Sequence, residues 1–299
     1  MLMLVVLMLG QSTGVAATPA APPSCQAAWA QAGNVWERAK RPELLRYCEV
    51  VGSARAKLSS GHTAVKAGLD LAREAERVLA DRAEAFVLEG RALMALGDGQ
   101  QAVTAFRAAV VRDARALDEP IARLAWARAL AQTGQLKEAA EAYRILQPWV
   151  RELRGADREA AQIEVGIAAM TMGRGGLDDA VSSLRAATRE CGNDLHSVAV
   201  LALALALDRR GDIAGAREAL RMDRSMGDPR DRIEISRAVF ALAPSDALAA
   251  SALALEIAGE RAGAHDAWQA AIEADPKGPW TDYARAHVEV DRSAAGWRP

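Results

Sequence analysis

The sequence predicts an all-α fold, an α-α superhelix (solenoid) of about six helical hairpins with a capping helix at each end. Three observations lead there. Apolar residues make up 51% of the chain but aromatics only 4%, because alanine carries much of the apolar content. Alanine is the strongest helix former, whereas sheets draw on β-branched and aromatic side chains. Next, Gly97, Gly134, Gly173, Gly211 and Gly259 recur at intervals of 37 to 39 residues, lengthened to 48 before the last. Finally, each of these glycines is followed by an alanine and then by a large side chain. A helical bundle has apolar periodicity but no reason for that spacing, whereas stacked repeats require it.

Taken in order, residues 2–9 (LMLVVLML) are an uninterrupted apolar run. A spanning helix needs about 20 apolar residues, so this run is too short to cross a membrane and has the length of a signal-peptide core. Val15-Ala16-Ala17 supplies small residues suited to cleavage. Residues 1–20 are therefore expected to be a signal peptide, with a periplasmic or secreted product. A cytoplasmic protein is the alternative, since no Lys or Arg precedes the run. Residues 21–42 are expected to be a linker and a lead-in helix carrying Trp29 and Trp36, broken at Arg41-Pro42. The chain has three cysteines. In an oxidising compartment Cys25 could pair with Cys48, leaving Cys191 as a lone, packed thiol.

Residues 43–276 are expected to hold the repeats. A unit starting at Ala83 places Phe86, Gly90, Leu93, Gly97, Ala102, Phe106 and Ala109 at positions 4, 8, 11, 15, 20, 24 and 27. From Pro120 the same frame places Ala127, Leu130, Gly134, Ala139 and Tyr143. From Ser245 it places Ala252, Leu255, Gly259, Ala264, Trp268 and the closing Pro276. Two further units carry Gly166, Gly173 and Leu184, and Ala204, Gly211 and Leu220. A degenerate unit precedes them with Ala54, Gly61, Ala67 and Leu71. Small residues at positions 8 and 20 let two helices cross closely, and glycine at 15 ends the first helix in a left-handed cap. The stretch between Gly211 and Gly259 is expected to add a short helix at about 230–242, which could cover an apolar face. Residues 277–299 are expected to form a C-terminal cap and a frayed tail. A lone hairpin cannot bury its apolar side, so the units must stack.

This pattern resembles the tetratricopeptide repeat family. The resemblance implies a concave groove lined by the first helices, chiefly at positions 2, 5, 9, 12 and 13. Carried onto this chain, it implies a groove with Val87, Arg91 and Met94, then Leu124 and Arg128. The next units add Ile163, Ile167, Met170 and Thr171, then Leu201, Leu205, Asp208 and Arg209. Arg91 and Arg128 share position 9 of adjacent units and could grip a carboxylate. The Lys and Asn clamp with which one subclass binds chaperone C-termini is not present: those positions hold Val87, Arg91, Leu124 and Arg128.

No chemistry competes with that reading. The formal net charge is only -2, so nothing points to nucleic acid. His62, His196, His265 and His287 belong to no metal-ligand spacing and read as surface or helix-end residues. Gly173-Arg174-Gly175-Gly176 lacks the residues of a phosphate-binding loop and reads as a turn insertion. The expected function is non-catalytic binding of a protein or peptide in the cell envelope, without cofactor or metal. The alternative is a structural subunit of a secretion or envelope assembly.

Overall fold

The computed structural model describes Cys25, residues 42–222 and residues 244–295. The expected signal peptide, lead-in helix and short helix at 230–242 lie outside these residues. The described residues fold into thirteen α-helices, joined by turns and short 3-10 segments. In order they begin with α1 (Pro42–Ser59), α2 (Val65–Val78), α3 (Ala83–Ala95), α4 (Gly99–Arg112), α5 (Pro120–Gln132) and α6 (Leu136–Leu146). They continue with three hairpins, α7 (Gly155–Thr171) with α8 (Leu177–Glu190), α9 (Asn193–Arg209) with α10 (Ile213–Met222), and α11 (Pro244–Ala258) with α12 (Arg261–Ala274). A last helix, α13 (Thr281–Ala295), follows. The fold is all-α and built from helical repeats.

Two compact units divide the chain, Met1–Trp126 and Ala127–Pro299. In the first, α1 packs on α2, α2 on α3 and α3 on α4, and α1 also touches α3. Its base is the Cys25–Cys48 disulfide, whose Cα atoms are 5.4 Å apart. Both cysteines are fully buried with Tyr47, Val51, Ala54 and Leu88. In the second unit the first helices of neighbouring hairpins meet, α7 with α9 and α9 with α11, while α13 packs on α12.

The glycine pattern has the geometry its spacing implies. The five repeat glycines have φ between 75° and 88°, a left-handed conformation that costs a residue with a Cβ about 1–2 kcal/mol. At Gly97 the amide of Asp98 reaches back to the Leu93 carbonyl at 2.9 Å and that of Gly97 to Met94 at 3.0 Å. The paired bonds consume carbonyls that the ending helix would leave unsatisfied. The same pair of bonds recurs at Gly134, Gly211 and Gly259. The crossing positions behave likewise. A Cβ on Gly90 would lie 2.8 Å from the Phe106 ring, and one on Gly166 would lie 2.5 Å from Leu184 Cγ. Position 24 thus seats its side chain over position 8 of the same hairpin. Phe106 also meets Trp126 edge-on at 5.8 Å, so it serves the next helix as well. In the degenerate hairpin the close approach falls on Gly68, against Leu58, and not on the exposed Ala67.

Candidate binding site

The groove implied by the resemblance needs correction residue by residue. Val87, Leu124, Ile163, Ile167, Met170, Leu201 and Leu205 are buried in the core. In the second unit the first helices also pack on one another, α7 on α9 and α9 on α11. Burying each is worth about 1.5–3 kcal/mol, which is why apolar residues at those positions close together. Arg128 does not await a carboxylate, because it already has two. Its Nε donates to Glu164 at 3.0 and 3.1 Å, and a terminal nitrogen donates to Asp157 at 3.0 Å. Burial alone would lower its pKa, but the charges of Glu164 and Asp157 outweigh that and raise it. Tyr143 donates to the same Glu164 at 3.1 Å. Arg91 and Met94 remain half-buried on α3.

The second unit instead has a cavity at the C-terminal ends of the first helices. Its volume is about 660 Å³, within the ~300–1,000 Å³ range of ligand pockets. Thr171 and Arg209 line it. Small residues from three helices make the room: Ala140 of α6, Ala249 of α11 and Ala271 of α12. Met172, Pro279 and Trp280 add apolar wall. Lys137 and Glu141, four apart on α6, supply exposed charges of opposite sign.

One wall holds a buried ion pair. Arg209 ends α9, and Asp246 lies in the first turn of α11. Their side chains are 2% and 4% exposed, and the guanidinium donates to Asp246 Oδ1 at 2.7 Å. The guanidinium also lies 4.6 Å from the Trp280 ring centre and 5.8 Å from that of Tyr283, where a cation meets the negative ring faces. Arg209 Nε and Asp246 Oδ2 have no hydrogen-bond partner.

The segment Trp280–His287 builds the adjoining wall by reaching back across three first helices. Trp280 Nε1 donates to the Met170 carbonyl of α7 at 2.8 Å. Tyr283 donates to Asp208 of α9. His287 sits 3.3 Å from Asp208 and 2.8 Å from Glu256 of α11, and stacks on Trp268 at 4.4 Å. Trp268 Nε1 donates to the same Glu256 oxygen at 3.1 Å. Burial would favour a neutral imidazole, but its bonds to Asp208 and Glu256 and their charges prevail, and the His287 pKa rises to about 9. At neutral pH it is an imidazolium donating from both nitrogens. Burial would raise the Glu256 pKa, yet His287 and the Trp268 N–H hold it below the usual carboxylate range. Burial and the Asp208 charge push the Tyr283 hydroxyl up, keeping it a donor.

His287 is therefore not the surface residue its sequence context suggests. One signal was present: Trp280, Tyr283 and His287 fall at i, i+3 and i+7 on one helical face, in a chain poor in aromatics. Residues 173–176 form a 3-10 turn, and Asp178-Asp179 lie in the first turn of α8. Cys191 is half-buried, and burial with the nearby Glu159 and Glu190 pushes its thiol up to about 11, which makes it a poor nucleophile. Among the described residues no group of three or more His, Cys, Asp and Glu could hold a metal. None of the described helices is long and apolar enough to cross a membrane.

Comparison with known proteins supports the repeat reading. Residues 87–156 and 166–229 match a tetratricopeptide repeat family model. The sequence matches no curated protein. Similar solved structures include YrrB, described as a tetratricopeptide repeat protein with an unusual peptide-binding site. It is 14% identical, with 72% of this chain and 97% of its own covered and a TM-score of 0.40. The repeats of a putative kinesin light chain from Podosopora anserina are 21% identical, covering 67% and 98%, with a TM-score of 0.41. A thermophilic repeat protein from Thermus thermophilus is 20% identical, covering 71% and 99%, with a TM-score of 0.35. Repeats of this family typically mediate protein–protein interaction and serve as non-catalytic scaffolds.

Proposed function

We propose that this protein is an interaction module of the cell envelope that holds a protein or peptide segment in the cavity of its second unit. The cavity carries the reading: it has the size of a recognition site, and apolar wall from Leu136, Met172, Pro279 and Trp280 alternates with charged and hydroxyl side chains. Most of the first-helix residues at positions 5 and 9 are buried, and the reading therefore takes the cavity as the site. The envelope location is supported by the apolar run at residues 2–9 and by the buried Cys25–Cys48 disulfide, a bond that persists in oxidising compartments.

The test is cross-linking in intact host cells that carry the tagged full chain, followed by purification and mass spectrometry. Ser245→Trp, which places a large ring at the half-exposed cavity margin, runs in parallel. One dominant envelope protein, lost in the folded Ser245→Trp variant, is the expected result. Many subunits of one machine, captured equally by both chains, would establish the assembly role instead. Capture of cytoplasmic proteins alone would overturn the location.

A further inference from the structure

We propose that the joint between α2 and α3 in the first unit is a pH-sensitive contact: a protonated Glu76 donates to the Glu89 carboxylate and holds the two helices together, and ionisation of Glu76 loosens them. The inference concerns a different unit from the cavity and does not depend on the binding reading.

The placement of the two carboxyls is the first argument. Glu76 lies on α2 and Glu89 on α3, helices that pack on one another. Both line one cleft of about 720 Å³, together with Asp70, Arg73 and Arg77 of α2 and Phe86 of α3. Glu76 Oε1 is buried and has no hydrogen-bond partner. A carboxylate oxygen withdrawn from water without a donor is costly, and a carboxyl that keeps its proton avoids that cost.

The engagement of the neighbouring cations is the second argument. Arg73 Nε donates to Glu89 Oε1 at 2.8 Å, and Arg77 Nε donates to the Arg73 carbonyl at 3.2 Å. Arg112 of α4 donates to the Ala80 and Ala108 carbonyls at 2.7 and 2.8 Å, and its guanidinium lies 3.8 Å from the centre of the Phe86 ring. On α1, which packs on α2, Arg46 donates to Glu74 at 3.2 Å. None of these bonds goes to Glu76.

The direction of the response follows. Burial, the Glu89 charge and a hydrogen bond to Glu89 raise the Glu76 pKa from 4.5 to about 7, against the opposing pull of Arg73 and Arg112. Between those values the folded chain binds more protons than the unfolded chain. The contribution to stability is therefore complete below 4.5 and is lost as pH rises through 7. Above that, two carboxylates face each other across the joint and repel.

The experiment is a carboxyl-carbon NMR titration of the full chain labelled at glutamate, joined to amide hydrogen exchange of α2 and α3 at about pH 5.5 and about pH 8. Glu76 is expected to titrate near 7. The opening constant of α2 and α3, corrected for intrinsic exchange, is expected to rise about tenfold between the two conditions, less than full linkage because Glu76 is only half-buried. Glu76→Gln keeps a neutral donor toward Glu89 and should abolish that rise. Asp70→Asn removes an exposed acid from the same cleft and should leave it. A Glu76 midpoint near 4.5 overturns the proposal, as does a rise that survives Glu76→Gln or disappears equally in Asp70→Asn. The titration is read on the unsubstituted chain, so it decides the matter even where Glu76→Gln fails to fold.

Discussion

The α3–α4 hairpin of the first unit and the α9–α11 end of the second solve the same packing problem by opposite means. At the first, glycine meets an aromatic ring: Gly90 lacks the Cβ that would reach within 2.8 Å of Phe106, and the contact is entirely apolar. At the second, a buried arginine and aspartate face each other at 2.7 Å, enclosed by Trp280 and Tyr283. The first arrangement gains stability and nothing else. The second bears the desolvation of two charges, which an apolar pair of similar size would avoid. The apolar arrangement recurs at Gly166 against Leu184, whereas the ion pair lines a cavity.

The largest test breaks the second arrangement by halves. Arg209→Met or Asp246→Leu alone leaves a buried charge without its partner and should cost about 3–5 kcal/mol in chemical denaturation. The double variant should recover most of that loss, and equal losses in all three would show that the pair is not coupled. Next, Cys25→Ser/Cys48→Ser opens a loop of sequence separation 23 and should cost about 3 kcal/mol on the loop-entropy model. The loss should vanish when wild type is measured under reducing conditions.

Gly90→Val follows, with an expected cost of about 2–3 kcal/mol from overpacking against Phe106. Gly90→Ala combined with Phe106→Leu should cost less than the sum of the two single changes, because the second makes room for the first. The last effect is a pH dependence confined to the second unit. The folded-state pKa of His287 is raised to about 9, against about 6.5 in the unfolded chain. Its contribution is thus complete below about 6.5 and disappears as pH rises through 9, a loss of at most about 3 kcal/mol. His287→Gln should flatten that alkaline limb of a thermal-melting profile, and an unchanged limb would remove His287 from the network.

Those four changes also differ in how visible they were before folding. Gly90 and Phe106 are 16 apart in a frame that recurs along the chain, so their meeting was implied by the spacing. The five turn glycines were legible for the same reason, since a left-handed cap selects glycine locally. The disulfide was legible as a pairing among three cysteines. The cavity was not. The family frame places positions 5 and 9 of the repeats in an open groove, whereas Ile163, Ile167, Leu201 and Leu205 are buried. Arg128, expected to face a partner, meets Glu164 and Asp157 from the next hairpin.

What the sequence determined by itself was the repeat: helix from alanine-rich composition, turns from glycine, close crossings from small residues at fixed intervals. These depend on interactions within one hairpin, where separation along the chain and separation in space run together. Only the tertiary structure decided the cavity wall. Trp280 binds a carbonyl 110 residues away, Tyr283 an aspartate 75 away, and Arg209 an aspartate 37 away. No local preference encodes such contacts, because each partner's conformation is fixed by its own hairpin. Their meeting depends on how successive hairpins stack.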